Sequence, residues 1–157
     1  MGPFAINAWR LFVLLLGIWT GSGIHDSIAG HFAWYADPLA WANRPTLPGM
    51  INPWPFTTLL LLLSTVVAGF ALRRYRGSGR REAVVALAGT ALILVATLGW
   101  FVPELGRMFG DDSSYTQTQV VEHSRIWITL NAARIIALVV LFWFALLSLG
   151  RIERTGR

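Results

Sequence analysis

The segment from Leu11 to His31, LFVLLLGIWTGSGIHDSIAGH, starts as an apolar run fit to cross a bilayer and acquires His25, Asp26 and His31 before it ends. A helix crossing about 30 Å of hydrocarbon needs roughly 20 mostly apolar residues, so the fold turns on whether this run stops at Ile24 or continues. The aromatic stretch through Phe32, Trp34 and Tyr35, up to the Asp37-Pro38 stop, predicts that it continues as a span over about 4–35. No A-x-A-like cleavage site follows the run, so it reads as a retained span.

Composition supports a membrane protein throughout. The 157 residues are 55% hydrophobic and only 13% charged, with a mean hydropathy of +0.55. Further spans are expected at about 54–72, 83–102 and 121–149. The fold class is therefore all-α, a single-domain, four-helix integral membrane bundle. There is no cysteine, which excludes disulfides, thiolate metal sites and cysteine nucleophiles.

All 13 basic residues are arginine, and five of them crowd the stretch RRYRGSGRRE between spans two and three. In a polytopic chain such an excess sets topology rather than marking a nucleic-acid partner. The Arg73–Arg81 loop and both termini are expected in the cytoplasm, as in a bacterial inner membrane, with Arg10 snorkelling to that interface; on a purely structural reading of the outer end, Glu122 caps the start of the last span. The connection from about 36 to 53, rich in Pro and Trp, is expected to lie along the outer interface. All three histidines and six of the eight acidic residues then fall on the outer half.

At about 1.5 Å per residue, His25 and Asp26 sit roughly 15 Å inward from Tyr35, a depth at which ionisable groups face a partner or a wet cavity. Gly17, Gly21 and His25 recur every four residues and predict a narrow face that a neighbouring helix approaches closely. In the last span, His123, Trp127, Asn131 and Arg134 fall within roughly an 80° arc, one polar stripe on a helix face. Arg134 lies about 16 Å inward from His123, level with Asp26, its nearest carboxylate by depth. Glu104, after Pro103, is positioned to reach His123 at the mouth of the bundle. These groups suit acid–base chemistry. Alternatively, His25, His31, Glu104 and His123 form a mixed donor set for iron, copper or zinc, or two histidines hold a haem. No His pair stands at i, i+4 and no HExxH is present, so the spacing is not a metal motif.

The exit from span one, GSGIHDSIAGHFAWYADP, the end of span three, WFVPEL, and RIWITLNAARI in span four resemble the anthrone oxygenase-like family of small four-span membrane proteins. Trp127, Leu130, Asn131 and Arg134 match that family's Trp-x-x-Leu-Asn/His-x-x-Arg pattern, and Pro103 matches its proline late in helix three. Where other members are expected to carry an acidic residue late in helix one, this chain has His25-Asp26. The resemblance implies an oxidoreductase that oxygenates a hydrophobic aromatic, polyketide-like substrate, with no cofactor strictly demanded. On that reading His25 or His123 removes a proton, Asn131 and Arg134 stabilise the resulting anion, and Asp26 orients the base or the arginine. Trp100, Trp127 and Glu104 would contact substrate. Two non-enzymatic alternatives remain: an accessory subunit of a larger membrane complex or homo-oligomer, and a metal or haem carrier.

Overall fold

The computed structural model describes residues 2–42, 54–110 and 115–155. Over these residues it is all helical: α1 (Pro3–Asp26), α2 (Phe32–Ala36), α3 (Pro38–Ala42), α4 (Trp54–Leu72), α5 (Arg80–Ala96), α6 (Val102–Phe109) and α7 (Gln117–Thr155). Two π turns, Ser27–His31 and Thr97–Phe101, join α1 to α2 and α5 to α6 without breaking the rods. The result is four helices long and apolar enough to cross a membrane: Pro3–Ala36, Trp54–Leu72, Arg80–Phe109 and Gln117–Arg154. Most of the expected interfacial connection, residues 43–53, lies outside the described residues, as do Asp111 and Asp112.

The first helix does continue past His25 and Asp26, ending at Asp37, whose carboxylate accepts the Ala40 amide at 3.0 Å and so caps α3. The third helix runs beyond the expected stop at 102. Proline removes one helix bond and crowds the carbonyl four residues back, and the π turn just before Pro103 supplies the wider backbone that accommodates it. The fourth helix starts at Gln117 rather than 121. Its cap is reciprocal: Gln119 Oε1 accepts the Thr116 amide at 2.9 Å while Thr116 Oγ1 accepts the Gln119 amide at 3.4 Å. Glu122, the cap expected from sequence, is instead exposed within the helix.

Each rod packs on its chain neighbours, and α1 closes the ring against α7. At one end Arg10 pairs with Glu153 at 2.7 Å and Arg151 with Glu82, bringing the terminal segments beside the arginine-rich turn. Such exposed pairs add at most about 1 kcal/mol each, so they register the helices more than they stabilise them. The core comes from Trp9, Phe12, Leu16 and Trp19 of α1 against Leu61, Leu94 and Leu138. Apolar lipid gives no hydrophobic drive for helix association, so close packing carries it. A Cβ on Gly17 would stand 2.9 Å from Phe142, and one on Gly89 would overlap Leu141. Gly21 meets nothing within 4 Å and His25 is exposed, so the close approach involves Gly17 alone of the spaced set. Outward, Phe32, Phe70, Leu92, Val95 and Ile136 are each more than two-thirds exposed, an apolar belt suited to lipid.

Candidate functional site

Toward the end of the bundle opposite the arginine-rich turn, residues of all four rods line a cavity of about 510 Å³. That is within the usual few-hundred to thousand Å³ of a small-molecule site. Both π turns border it. Such turns are frequent at functional sites because the extra residue re-aims side chains that a regular helix would direct elsewhere. The turn in the first rod contributes His31, and the turn in the third contributes Thr97, Leu98 and Phe101. Trp19, Gly23 and Asp26 come from α1, Trp54 and Thr58 from α4, and Trp127, Asn131 and Arg134 from α7.

Arg134 dominates the polar content. Its Nη1 donates to Thr97 Oγ1 at 3.0 Å, and the guanidinium lies over the rings of Phe101 at 4.6 Å and Trp19 at 5.4 Å. Its Nε is buried without a hydrogen-bond partner. Among the described residues no carboxylate lies within ion-pair distance of it. Asp26, the partner its depth suggested, borders the same cavity but accepts the Trp54 indole N–H at 2.7 Å and lies 3.4 Å from His25 Nδ1.

His31 belongs to a second polar group. Ser27 Oγ donates to the Gly23 carbonyl at 2.9 Å and lies 3.1 Å from His31 Nδ1. Asn131 Nδ2 lies 3.3 Å from the same Nδ1. Asn131 is 1% exposed, and among the described residues its Oδ1 has no hydrogen-bond partner. The His31 ring packs edge-on against Trp127 at 5.7 Å.

The stripe read from α7 is intact but serves two sites. Trp127, Asn131 and Arg134 border the cavity, whereas His123 lies in a separate cluster above it. There Glu104, 2% exposed, accepts from His123 Nδ1 at 2.5 Å, Tyr115 at 3.2 Å and Arg107 at 3.3 Å. Desolvation and the bond to the Glu104 carboxylate hold the Tyr115 phenol above its ordinary range. Between cluster and cavity, Trp34, Phe101 and Trp127 form an aromatic layer, with Trp34 and Trp127 at 5.0 Å. Trp127 Nε1 donates to the Phe101 carbonyl at 3.0 Å.

Several expected site residues therefore fall elsewhere. His25 is on the outer surface, its side chain 79% exposed. Trp100 packs edge-on against Phe101 at 4.8 Å and does not border the cavity, and neither does Glu104. His25, His31, Glu104 and His123 are not brought together, and among the described residues no group of three or more His, Asp or Glu is placed to hold a metal ion. Conversely, Thr97, Trp19, Trp54 and Ser27 escaped the sequence reading. The detectable signal for Thr97 was a hydroxyl in an apolar span beside a Gly-Trp pair.

No family model matches the chain, and no curated protein or solved structure shows significant similarity to it.

Proposed function

We propose that this protein is a membrane-embedded oxidoreductase that takes a hydrophobic aromatic carbonyl compound of the anthrone type into the cavity and oxygenates it. The observation that carries the reading is Arg134, a cation in an aromatic cavity with no carboxylate among the described residues within ion-pair distance. An intramembrane arginine left without an anion is costly, and a ligand oxyanion offsets that cost. His31 replaces His25 and His123 as the base, because of the three it alone borders the cavity. It removes a proton from the methylene carbon across the ring from the carbonyl, and Arg134 and Asn131 bear the charge of the resulting enolate, delocalised through the ring onto the carbonyl oxygen. The enolate electron pair adds to dioxygen, and the peroxide so formed loses water to leave a new carbonyl. One dioxygen is consumed and one water released per substrate. Asp26 holds Trp54 in the wall, and Trp127 and Phe101 face the ring.

The same reading has the arginine-rich turn and both termini in the cytoplasm of an inner-membrane protein, supported by five arginines in that short stretch. Purified protein in lipid nanodiscs, supplied with an anthrone, should take up dioxygen faster than empty nanodiscs. Arg134→Gln and His31→Gln should each lose on the order of a hundredfold or more of that rate. Equal rates with and without protein would end the enzymatic reading. A second reading, assembly with another membrane subunit or a second copy, is favoured by His25, a polar group 79% exposed on the outer surface of a span. Co-purification of a partner that His25→Leu releases would support it.

A further inference from the structure

We propose that the cavity fills from the side, out of the bilayer, and that its occupant is a lipophilic weak acid whose ionised oxygen docks on Arg134. This rests on the reading of the cavity as a ligand site and adds its route and the charge state of what it takes.

The route follows from which walls are closed. Toward the outer end, Trp34 packs on Trp127 at 5.0 Å and on Phe109 at 5.6 Å, and Phe101 on Trp127 at 5.5 Å. Above that layer Glu104 is buried under three donors. Toward the inner end, Leu61, Leu94 and Leu138 are at most 1% exposed and leave no passage. The side between α4 and the third rod differs. Leu59, Leu98 and Val102 border the cavity and are also 52%, 49% and 54% exposed. Residues that face the cavity and the outside at once form the rim of an opening; on the α1 side Asp26, its side chain 42% exposed, is a polar member of that rim and is tied across to Trp54 at 2.7 Å. Their neighbours on that surface, Phe56, Leu63 and Val95, are apolar and exposed, so the opening gives onto lipid.

The ligand class follows from the two ends of this path. A mostly apolar rim admits what dissolves in hydrocarbon. At the far side stands Arg134, its guanidinium over the rings of Phe101 and Trp19, with Nη1 donating to Thr97 and, among the described residues, no partner on Nε. Carboxylic acids, phenols and enols meet both conditions, since they cross lipid neutral and carry an oxyanion when ionised. Charge-assisted hydrogen bonds to guanidinium favour that form over any ester of the same ring.

The test uses the whole protein in nanodiscs with two probes, anthracenecarboxylate and its methyl ester, read by energy transfer from tryptophan to the anthracene ring. Wild-type protein should prefer the acid by on the order of tenfold or more. Arg134→Gln should lose that preference while still binding the ester, which also shows that it folds. Paired Leu98→Phe and Val102→Phe substitutions should slow association several-fold, whereas Trp34→Ala should leave it unchanged. Equal wild-type affinity for acid and ester would overturn the charge assignment, and needs no variant. Association accelerated by Trp34→Ala and indifferent to the rim would overturn the side route. Binding of neither probe by protein with an intact thermal transition would bring down the ligand-site reading itself.

Discussion

The Trp54 indole nitrogen donates to Asp26 Oδ2 at 2.7 Å, so the carboxylate level with Arg134 is tied to α4 and leaves the arginine to the cavity. That bond links α1 to α4 beside the cavity, and Trp19 closes the corner, edge-on to Trp54 at 5.9 Å with its own N–H on Thr58. Trp54→Phe keeps most of the packing and removes the donor. Because the Asp26 side chain is 42% exposed, the loss should be about 1 kcal/mol rather than the larger penalty of a fully buried orphan. A lowered thermal midpoint in detergent, not additive with Asp26→Asn, is the expected result. Additive losses would mean the bond carries no coupling.

At the outer cluster the asymmetry runs the other way. Glu104 has 3% side-chain exposure, whereas His123 has 35% and Arg107 60%. Removing His123 takes the closest of three donors from a buried carboxylate, while neutralising the carboxylate leaves groups that water reaches. His123→Leu should therefore cost about 2–3 kcal/mol and Glu104→Gln about 1 kcal/mol, in chemical or thermal unfolding. The reverse order would contradict this account of the cluster.

Tyr115 adds a pH dependence with a fixed sign. Its phenol is held above the ordinary value of 10.0 by desolvation and by Glu104. Between the unfolded and folded values the native state binds the extra proton. The contribution is thus fully present below pH 10.0 and fades as pH rises through the folded value. Thermal midpoints of wild type and Tyr115→Phe, compared from neutral pH upward, should converge in the alkaline range. A gap that widens there would refute it.

Among the glycines, one position tests backbone and another tests space. Gly79, at φ 84°, accepts the Ser148 hydroxyl at 2.9 Å, and a Cβ there would stand 2.9 Å from the Ser148 carbonyl oxygen. Gly79→Ala should cost about 1–2 kcal/mol from the left-handed backbone, with the steric clash adding to it. Gly21→Ala, where nothing lies within 4 Å, should leave stability unchanged or slightly raised. Equal effects in unfolding experiments would mean the inner turn is looser than its geometry.

What the sequence made legible was whatever depends on period and depth. The apolar runs predict the rods, the stripe from His123 to Arg134 lies on one inward face, and Glu104 reaches His123. What it hid depends on the π turns. A constant 100° per residue carries the helix phase smoothly past Ser27, but the π turn inserts a residue there, and His31 borders the cavity. Pro103 read as a helix end for the same reason, because the sequence does not show that a preceding π turn makes room for it. The partner of Arg134 was misjudged because depth alone ranked Asp26 first, and depth says nothing about an indole on α4 with a better claim.

The two histidines of the first rod give the sharpest functional contrast. They stand six positions apart, share an apolar context and look alike in sequence. His31 Nδ1 lies 3.1 Å from Ser27 and 3.3 Å from Asn131, His25 Nδ1 lies 3.4 Å from Asp26, and of the two only His31 borders the cavity. His25→Gln should leave dioxygen uptake with an anthrone within about twofold, since no step passes through it. His31→Gln should remove on the order of a hundredfold or more from the rate while leaving affinity for a non-reacting analogue nearly unchanged, as loss of a base does. Ser27→Ala should fall between them, because the ring keeps its base but loses an orienting partner, and the loss should appear in kcat more than in KM. A His25 variant as inactive as the His31 variant, with both still folded, would return the base to the outer surface and sink this assignment.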